Sequence, residues 1–264
     1  MSVKFFTSGA FTTSGIYSAT YEASGFEKEN MGDYNPETFW YYNTTGIVYF
    51  TFYIPTSVGA PNIGGFFFFL NNYKDITSGS FTVNYGDSAS GPWNSITGGA
   101  VNLYDTNGPI RYCEFTSTYS NQYYRVTLAG QNAGVRIGMA FPARVWETSI
   151  GAQYPANDQR QFHNKEISTA GGRTFVQRWN SRGTTTLNRT FVSDGETTKT
   201  AIQSAFNDSD GRLRPVLYQE GSSQYDAKLC RFQEPLLISQ RDYQLYDVTF
   251  TLDEIPYTPS GQDY

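Results

Sequence analysis

The stretch that decides the fold is IGGFFFFLNNY, residues 63–73. Four consecutive phenylalanines, Phe66 to Phe69, lie between Pro61-Asn62 and Asn71-Asn72. A short apolar run between turn residues fits a strand buried on both faces. It is too short to cross a bilayer as a helix, which takes about 20 residues. Gly64 and Gly65, just ahead of the run, admit a bulge or a close backbone neighbour. The reading adopted is a central strand, one face in the core and the other under a loop or neighbour. A subunit contact is the sharper alternative, and membrane insertion the third.

Outward from this run the dominant period is two, the mark of strands with one buried face. In IVYFTFYI (47–54), Val48, Phe50, Phe52 and Ile54 share a face. Tyr124, Val126 and Leu128 alternate with Tyr123, Arg125 and Thr127, and Val135, Ile137, Met139 and Phe141 with Arg136, Gly138 and Ala140. Further β-rich runs at 81–85, 100–104 and 109–115 are separated by Gly, Asn, Ser and Pro clusters. Many short strands with turn signals between them predict an antiparallel sandwich. Periodicity stops over 147–165, which reads as a linker or strap. It restarts at 175–179 and 187–192, and again at 213–218, 228–232 and 243–252. Between the two sets, Ser193 and Glu196 have capping-box spacing, and Ala201, Ile202, Ala205 and Phe206 form an apolar stripe, predicting a helix over about 195–207. The expectation is an all-β chain of two antiparallel β-sandwich domains, 1–146 and 166–264, the second with one packed α-helix. Residues 1–35 form an N-terminal extension of open role.

Composition narrows the function classes. Charged residues make up 16% of the 264, below the ~25% of ordinary domains, while aromatics reach 17%, with 21 Tyr. Tyrosine buries a ring and keeps a polar tip, so it suits half-exposed sheet faces and contact surfaces. A net charge of −5 without a basic run argues against nucleic-acid binding. No run of about 20 apolar residues offers a membrane-spanning helix, and the N-terminus lacks the apolar region of a secretory signal. Cys113 and Cys230, far apart in sequence, are expected as small buried residues. The single histidine, His163, has no Cys or His neighbour to make a zinc site. No nucleophile elbow or phosphate loop is present, and pairs such as Glu27/Glu29 and Asp253/Glu254 occur in any chain. The expectation is no enzyme, no cofactor and no metal. Asp208 and Asp210, flanking Ser209, read as a solvated turn at the helix end.

The order of the pieces resembles a family, the two-domain minor tail or virion structural proteins of tailed bacteriophages. In the first half the similar segments are IGGFFFFLNNY, SGPWNSI with Trp93, PIRYCEFTSTYSNQYYRVTL and GVRIGMAFPARVWE, which resemble a discoidin-like (galactose-binding-like) jelly roll. In the second half RTFVQRWNSRG, ETTKTAIQSAFND, LRPVLY and YQLYDVTFTLDEIP are similar to the β-sandwich of distal-tail proteins. The likeness spans roughly 40–256. It implies a structural component of the virion tail or tail tip, made in the host cytoplasm, assembling as a symmetric ring of its own copies with other tail proteins. The alternative it leaves is a carbohydrate-binding adhesin that touches a host surface glycan. For that alternative the candidate sugar-binding residues are Tyr34, Trp40, Tyr41 and Trp93; for the ring, Tyr154, Arg160 and Phe162 of the strap are the candidate contacts.

Overall fold

The computed structural model describes residues 2–9, 15–20, 24–55, 61–104, 108–153, 157–161, 164–168, 174–178, 184–194, 196–211, 213–221 and 227–255. In chain order the strands of the first half are β1 (Lys4–Thr7), β2 (Ile16–Ala19), β3 (Trp40–Tyr42), β4 (Val48–Tyr53), β5 (Ile63–Leu70), β6 (Ser80–Gly86), β7 (Asn94–Asn102), β8 (Ile110–Tyr119), β9 (Tyr123–Ala129) and β10 (Val135–Glu147). The second half adds β11 (Asn157–Gln161), β12 (Asn164–Ser168), β13 (Thr174–Arg178), β14 (Thr184–Asp194), helix α1 (Glu196–Asp208), β15 (Val216–Gln219), β16 (Ala227–Asp242) and β17 (Leu245–Glu254). Among the described residues the chain is all-β but for α1 and a short 3-10 helix at Lys28–Met31, and its sheets are antiparallel, as the alternation predicts.

The phenylalanine run is a central strand. β5 lies between β10 and β8, and all its residues are buried. Phe66 and Phe68 point into the sandwich, where Phe66 meets Phe52 at 5.0 Å and Phe68 meets Phe81 at 4.6 Å between ring centroids. Phe67 points the other way, 4.8 Å from Phe141. Gly65 follows a register shift, and a Cβ there would stand 2.6 Å from the Cys113 carbonyl oxygen and 3.2 Å from the Phe6 ring. That space is the reason a glycine precedes the run. Cys113 and Cys230 are both buried and free. Burial pushes the Cys113 thiol up to about 12, and Cys230 upward too.

Two sheets carry most of the molecule. One runs β2-β4-β9-β6-β7. The other is a ten-stranded sheet ordered β11-β14-β17-β16-β15-β1-β10-β5-β8, with β3 on β10. The first half lays the five-stranded sheet over its part of the large sheet. The second half lays α1 there instead, burying Thr198, Ala201, Ile202 and Ala205. The helix over Glu196–Asp208 matches the expected span.

The open role of the N-terminal residues is answered by β1. This strand pairs with β10 on one side and β15 on the other, joining the sheets of the two halves. Because successive side chains alternate across a strand, Phe6 enters the core beneath the first sandwich and Phe5 the core beneath α1. Both are wholly buried. Asp208 ties the same joint. Its carboxylate accepts from Arg144 Nη1 at 2.9 Å, Trp146 Nε1 at 2.8 Å and Thr7 Oγ1 at 3.0 Å. A carboxylate in the last helical turn opposes the helix dipole, and the Arg144 cation offsets that. The expected solvated turn therefore describes Asp210, which is exposed, and not Asp208.

Part of the expected strap is a strand. Asn157–Gln161 pairs with β14 at the edge of the large sheet, with Arg160 opposite Thr185. Tyr154, Phe162 and His163 lie outside the described residues. Among the described residues, no helix is long and apolar enough to cross a membrane.

Candidate functional site: the outer face of the five-stranded sheet

In β9, Tyr124, Val126 and Leu128 fill the core, so Tyr123, Arg125 and Thr127 stand on the outer face. β4 places Tyr49, Thr51 and Tyr53 beside them, since Tyr49 pairs with Thr127, Thr51 with Arg125 and Tyr53 with Tyr123. β6 adds Thr82 opposite Thr127, Asn84 opposite Arg125 and Gly86 opposite Tyr123. Paired residues share a face, so these side chains, apart from the buried Thr51, form one surface of aromatic rings, hydroxyls and an amide. Arg125 is the sole charged residue in the five strands of this sheet.

The turn after β6 brings a further ring. It carries a cis Gly91-Pro92 bond and delivers Trp93 back over Gly86. A Cβ at Gly86 would lie 3.3 Å from Trp93 Cε3 and 2.9 Å from the Pro92 carbonyl oxygen, so the glycine leaves the room that the indole occupies. The Arg125 guanidinium carbon stands 4.4 Å from the Tyr49 ring centroid and 5.3 Å from that of Trp93. Both separations suit cation–π attraction. Tyr53 and Tyr123 pack 5.0 Å apart on the same face.

What this arginine lacks is an acceptor. Its Nε is buried without a hydrogen-bond partner. Among the described residues no carboxylate or carbonyl receives the guanidinium, so the donors that are not buried with Nε, those on Nη1 and Nη2, are left open to whatever lands on the face. Asn84 is partly engaged, its Nδ2 donating to the Asn94 carbonyl at 3.3 Å.

The sequence candidates do not converge. Trp93 belongs to this face. Tyr41 belongs to another cluster, where the Arg136 guanidinium carbon stands 5.3 Å from its ring and 5.4 Å from Phe39, and Phe26 stacks on Phe39 at 5.1 Å. Tyr34 is half-buried, its hydroxyl donating to Ser8 Oγ at 3.3 Å and its carbonyl accepting from Arg231 Nη2 at 3.1 Å. Burial raises the Tyr34 phenol and the Ser8 bond partly offsets that. Trp40 is a correction. It is wholly buried, edge-on to Phe50 at 4.6 Å, because β3 pairs it with Ile137 and turns it into the core. It offers no platform to a ligand. The residues of this face that sequence reasoning did not name as candidates are Tyr49, Asn84 and Arg125. The alternation of 123–128 already put Arg125 on an outer face; nothing local told that Trp93 would fold back to meet it.

No family model matches the chain, and no curated protein matches its sequence. Among solved structures, similar arrangements occur in a pectin-binding carbohydrate-binding module, at TM-score 0.39 and 14% identity over 47% of this chain and 85% of that one. The CBM32 module of AlyQ, in complex with 4,5-unsaturated mannuronic acid, matches at TM-score 0.38 and 20% identity, over 47% of this chain and 92% of the module. The lectin domain of lectinolysin, complexed with Lewis B antigen, matches at 0.36 and 12%, over 48% and 92%. At these scores the matches say nothing of what this chain binds.

Proposed function

We propose that this chain binds carbohydrate on the outer face of its five-stranded sheet. One observation carries the reading: Arg125, alone in charge, is held between Tyr49 and Trp93 with its Nε unpaired. A sugar ring has an apolar face of C–H bonds and a rim of hydroxyls. Aromatic rings lying on a rigid sheet take the first, while an arginine, an amide and threonine hydroxyls take the second. The face needs little rearrangement to do so, because its side chains stand on paired strands. The test is retardation of the protein in native gels cast with a panel of polysaccharides, repeated with Trp93→Ala and Tyr49→Ala. Binding that falls about tenfold or more in folded variants is expected. A wild-type protein that no polysaccharide retards removes the reading.

A second reading, assembly through protein–protein contacts as the virion-tail resemblance implies, starts from a different surface. The β16–β17 hairpin carries Leu237, Ile238 and Tyr243 in the open, at 57%, 37% and 83% exposure. Beside it Phe206, Pro235, Leu236 and Ile238 line a groove against α1. Clustered exposed apolar groups mark contact surfaces. On this reading copies form a ring, since a head-to-tail contact that closes makes one. A native mass spectrum tests it: a discrete oligomer that falls to monomer in Leu237→Asp is expected, and a monomer at all concentrations counts against it.

A further inference from the structure

We infer that the sugar this face selects bears a carboxylate, as a uronic acid does; the inference rests on the carbohydrate-binding reading. The five strands of this sheet hold one charged residue and its charge is positive, in a chain whose net charge is −5. The outward rows of β4, β6 and β9 contain no Asp or Glu that would answer it. Elsewhere among the described residues the two buried arginines are answered: Arg111 donates to the Leu103, Gly108 and Ile110 carbonyls, and Arg189 Nη1 meets Asp158 at 2.5 Å and Nη2 meets Glu220 at 2.8 Å. A planar guanidinium offers two parallel donors that match the two oxygens of a carboxylate. Tyr49 and Trp93 hold the Arg125 group in place, so less rotamer freedom is lost on pairing. The rings that hold it also lower the local dielectric, which strengthens the pairing relative to open water. A hydroxyl from a neutral sugar takes one donor and leaves the charge unanswered. A carboxylate takes two and neutralises it. The ester of the same sugar keeps the ring and the hydroxyls and loses the charge, so it isolates the term in question.

The experiment uses the full chain in native gels containing a hexuronate polymer, the same polymer as its methyl ester, or a neutral hexose polymer. Retardation by the acid form, about tenfold stronger than by the ester and lost in Arg125→Gln, is expected. Arg125→Lys, which keeps the charge without the paired donors, should recover only part of it. Rising salt should weaken the acid complex more than any neutral one. Equal retardation by acid and ester overturns the inference and leaves the glycan reading standing. Acid-selective retardation that survives Arg125→Gln also overturns it, by placing the selectivity elsewhere. Retardation by none of the three, with none across the wider panel, removes both. The acid-against-ester comparison needs only the wild-type protein, so it decides even where a variant fails to fold.

Discussion

Arg189 and Arg125 begin alike and end differently. Each stands on a strand of an antiparallel sheet and each lies near tyrosine, Arg189 6.0 Å from the Tyr218 ring and Arg125 4.4 Å from Tyr49. Arg189 is 3% exposed and receives two carboxylates, Asp158 from the edge strand β11 and Glu220 just after β15. Burial works against its charge, and hydrogen bonds to Asp158 and Glu220 hold the charge on, above the usual guanidinium value. Arg125 has rings and no acid. A buried charge without a partner is costly, so the second half completes its arginine from its own chain. In the first half the buried Arg111 is likewise completed, by the Leu103, Gly108 and Ile110 carbonyls, and it is Arg125 that is left half-exposed and incomplete. The difference separates a group that serves the fold from one available to a ligand.

The largest expected effect concerns the frame that both arginines share. β1 supplies Phe6 to one core and Phe5 to the other. Removing a buried phenylalanine costs about 3–5 kcal/mol, and a whole domain is stable by about 5–15 kcal/mol. Deletion of residues 1–8 should therefore abolish cooperative urea unfolding of the whole chain. The fragment 166–264, which the strand alternation predicts to fold alone, should also lack a cooperative transition, because its core is missing Val3, Phe5 and Trp146. A sharp transition in that fragment would show two independent units and leave β1 a mere connector.

Next in size is the direct contrast. Arg189→Ala should lower stability by about 3 kcal/mol, the lower end for a broken buried pair, because Asp158 and Glu220 keep some access to water. Arg125→Ala should stay within about 0.5 kcal/mol of wild type, as surface substitutions do. Urea midpoints at constant slope measure both. Equal losses would break the contrast and make Arg125 a structural residue.

Much of this was legible before any coordinates. Alternation is local, so the strands around Phe50, Tyr124 and Ile137 and the helix over Glu196–Asp208 follow from side-chain period alone. The phenylalanine run follows from length and flanking turns. What alternation does not encode is which strand lies beside which. Phe5 and Phe6 read as two apolar residues near a terminus, and only the pairing of β1 with both β10 and β15 reveals that they serve separate cores. The strand at 157–161 escaped because NDQRQ carries no apolar alternation; its place at a sheet edge asks for none. The site was half-legible. Trp93 stood out by type and Arg125 by its face, but their meeting depends on the β6–β7 turn folding Trp93 back over Gly86. Trp40 misled because residue type says nothing of the direction a short strand gives it.

The smallest effect on stability carries the most information about the site. Asn84 stands opposite Arg125 on the outer face, in register across β6 and β9. Asn84→Asp places a carboxylate where the guanidinium lacks one and so gives Arg125 the kind of partner that Arg189 has. A half-exposed ion pair contributes about 0–1 kcal/mol, and the substitution also removes the Asn84 donor to the Asn94 carbonyl, so the urea midpoint should barely move. Binding should move far more. The new carboxylate occupies the donors and repels an acidic ligand, weakening retardation by a hexuronate polymer about tenfold or more. Asn84→Ala is the control, since it removes the same amide without adding charge. If the Asp and Ala variants weaken binding equally, the amide and not the open guanidinium is what the ligand uses, and the contrast between the two arginines loses its functional meaning. If only Asp weakens it, and neutral polymers are indifferent to both, the unpaired charge of Arg125 is the feature that the ligand reads.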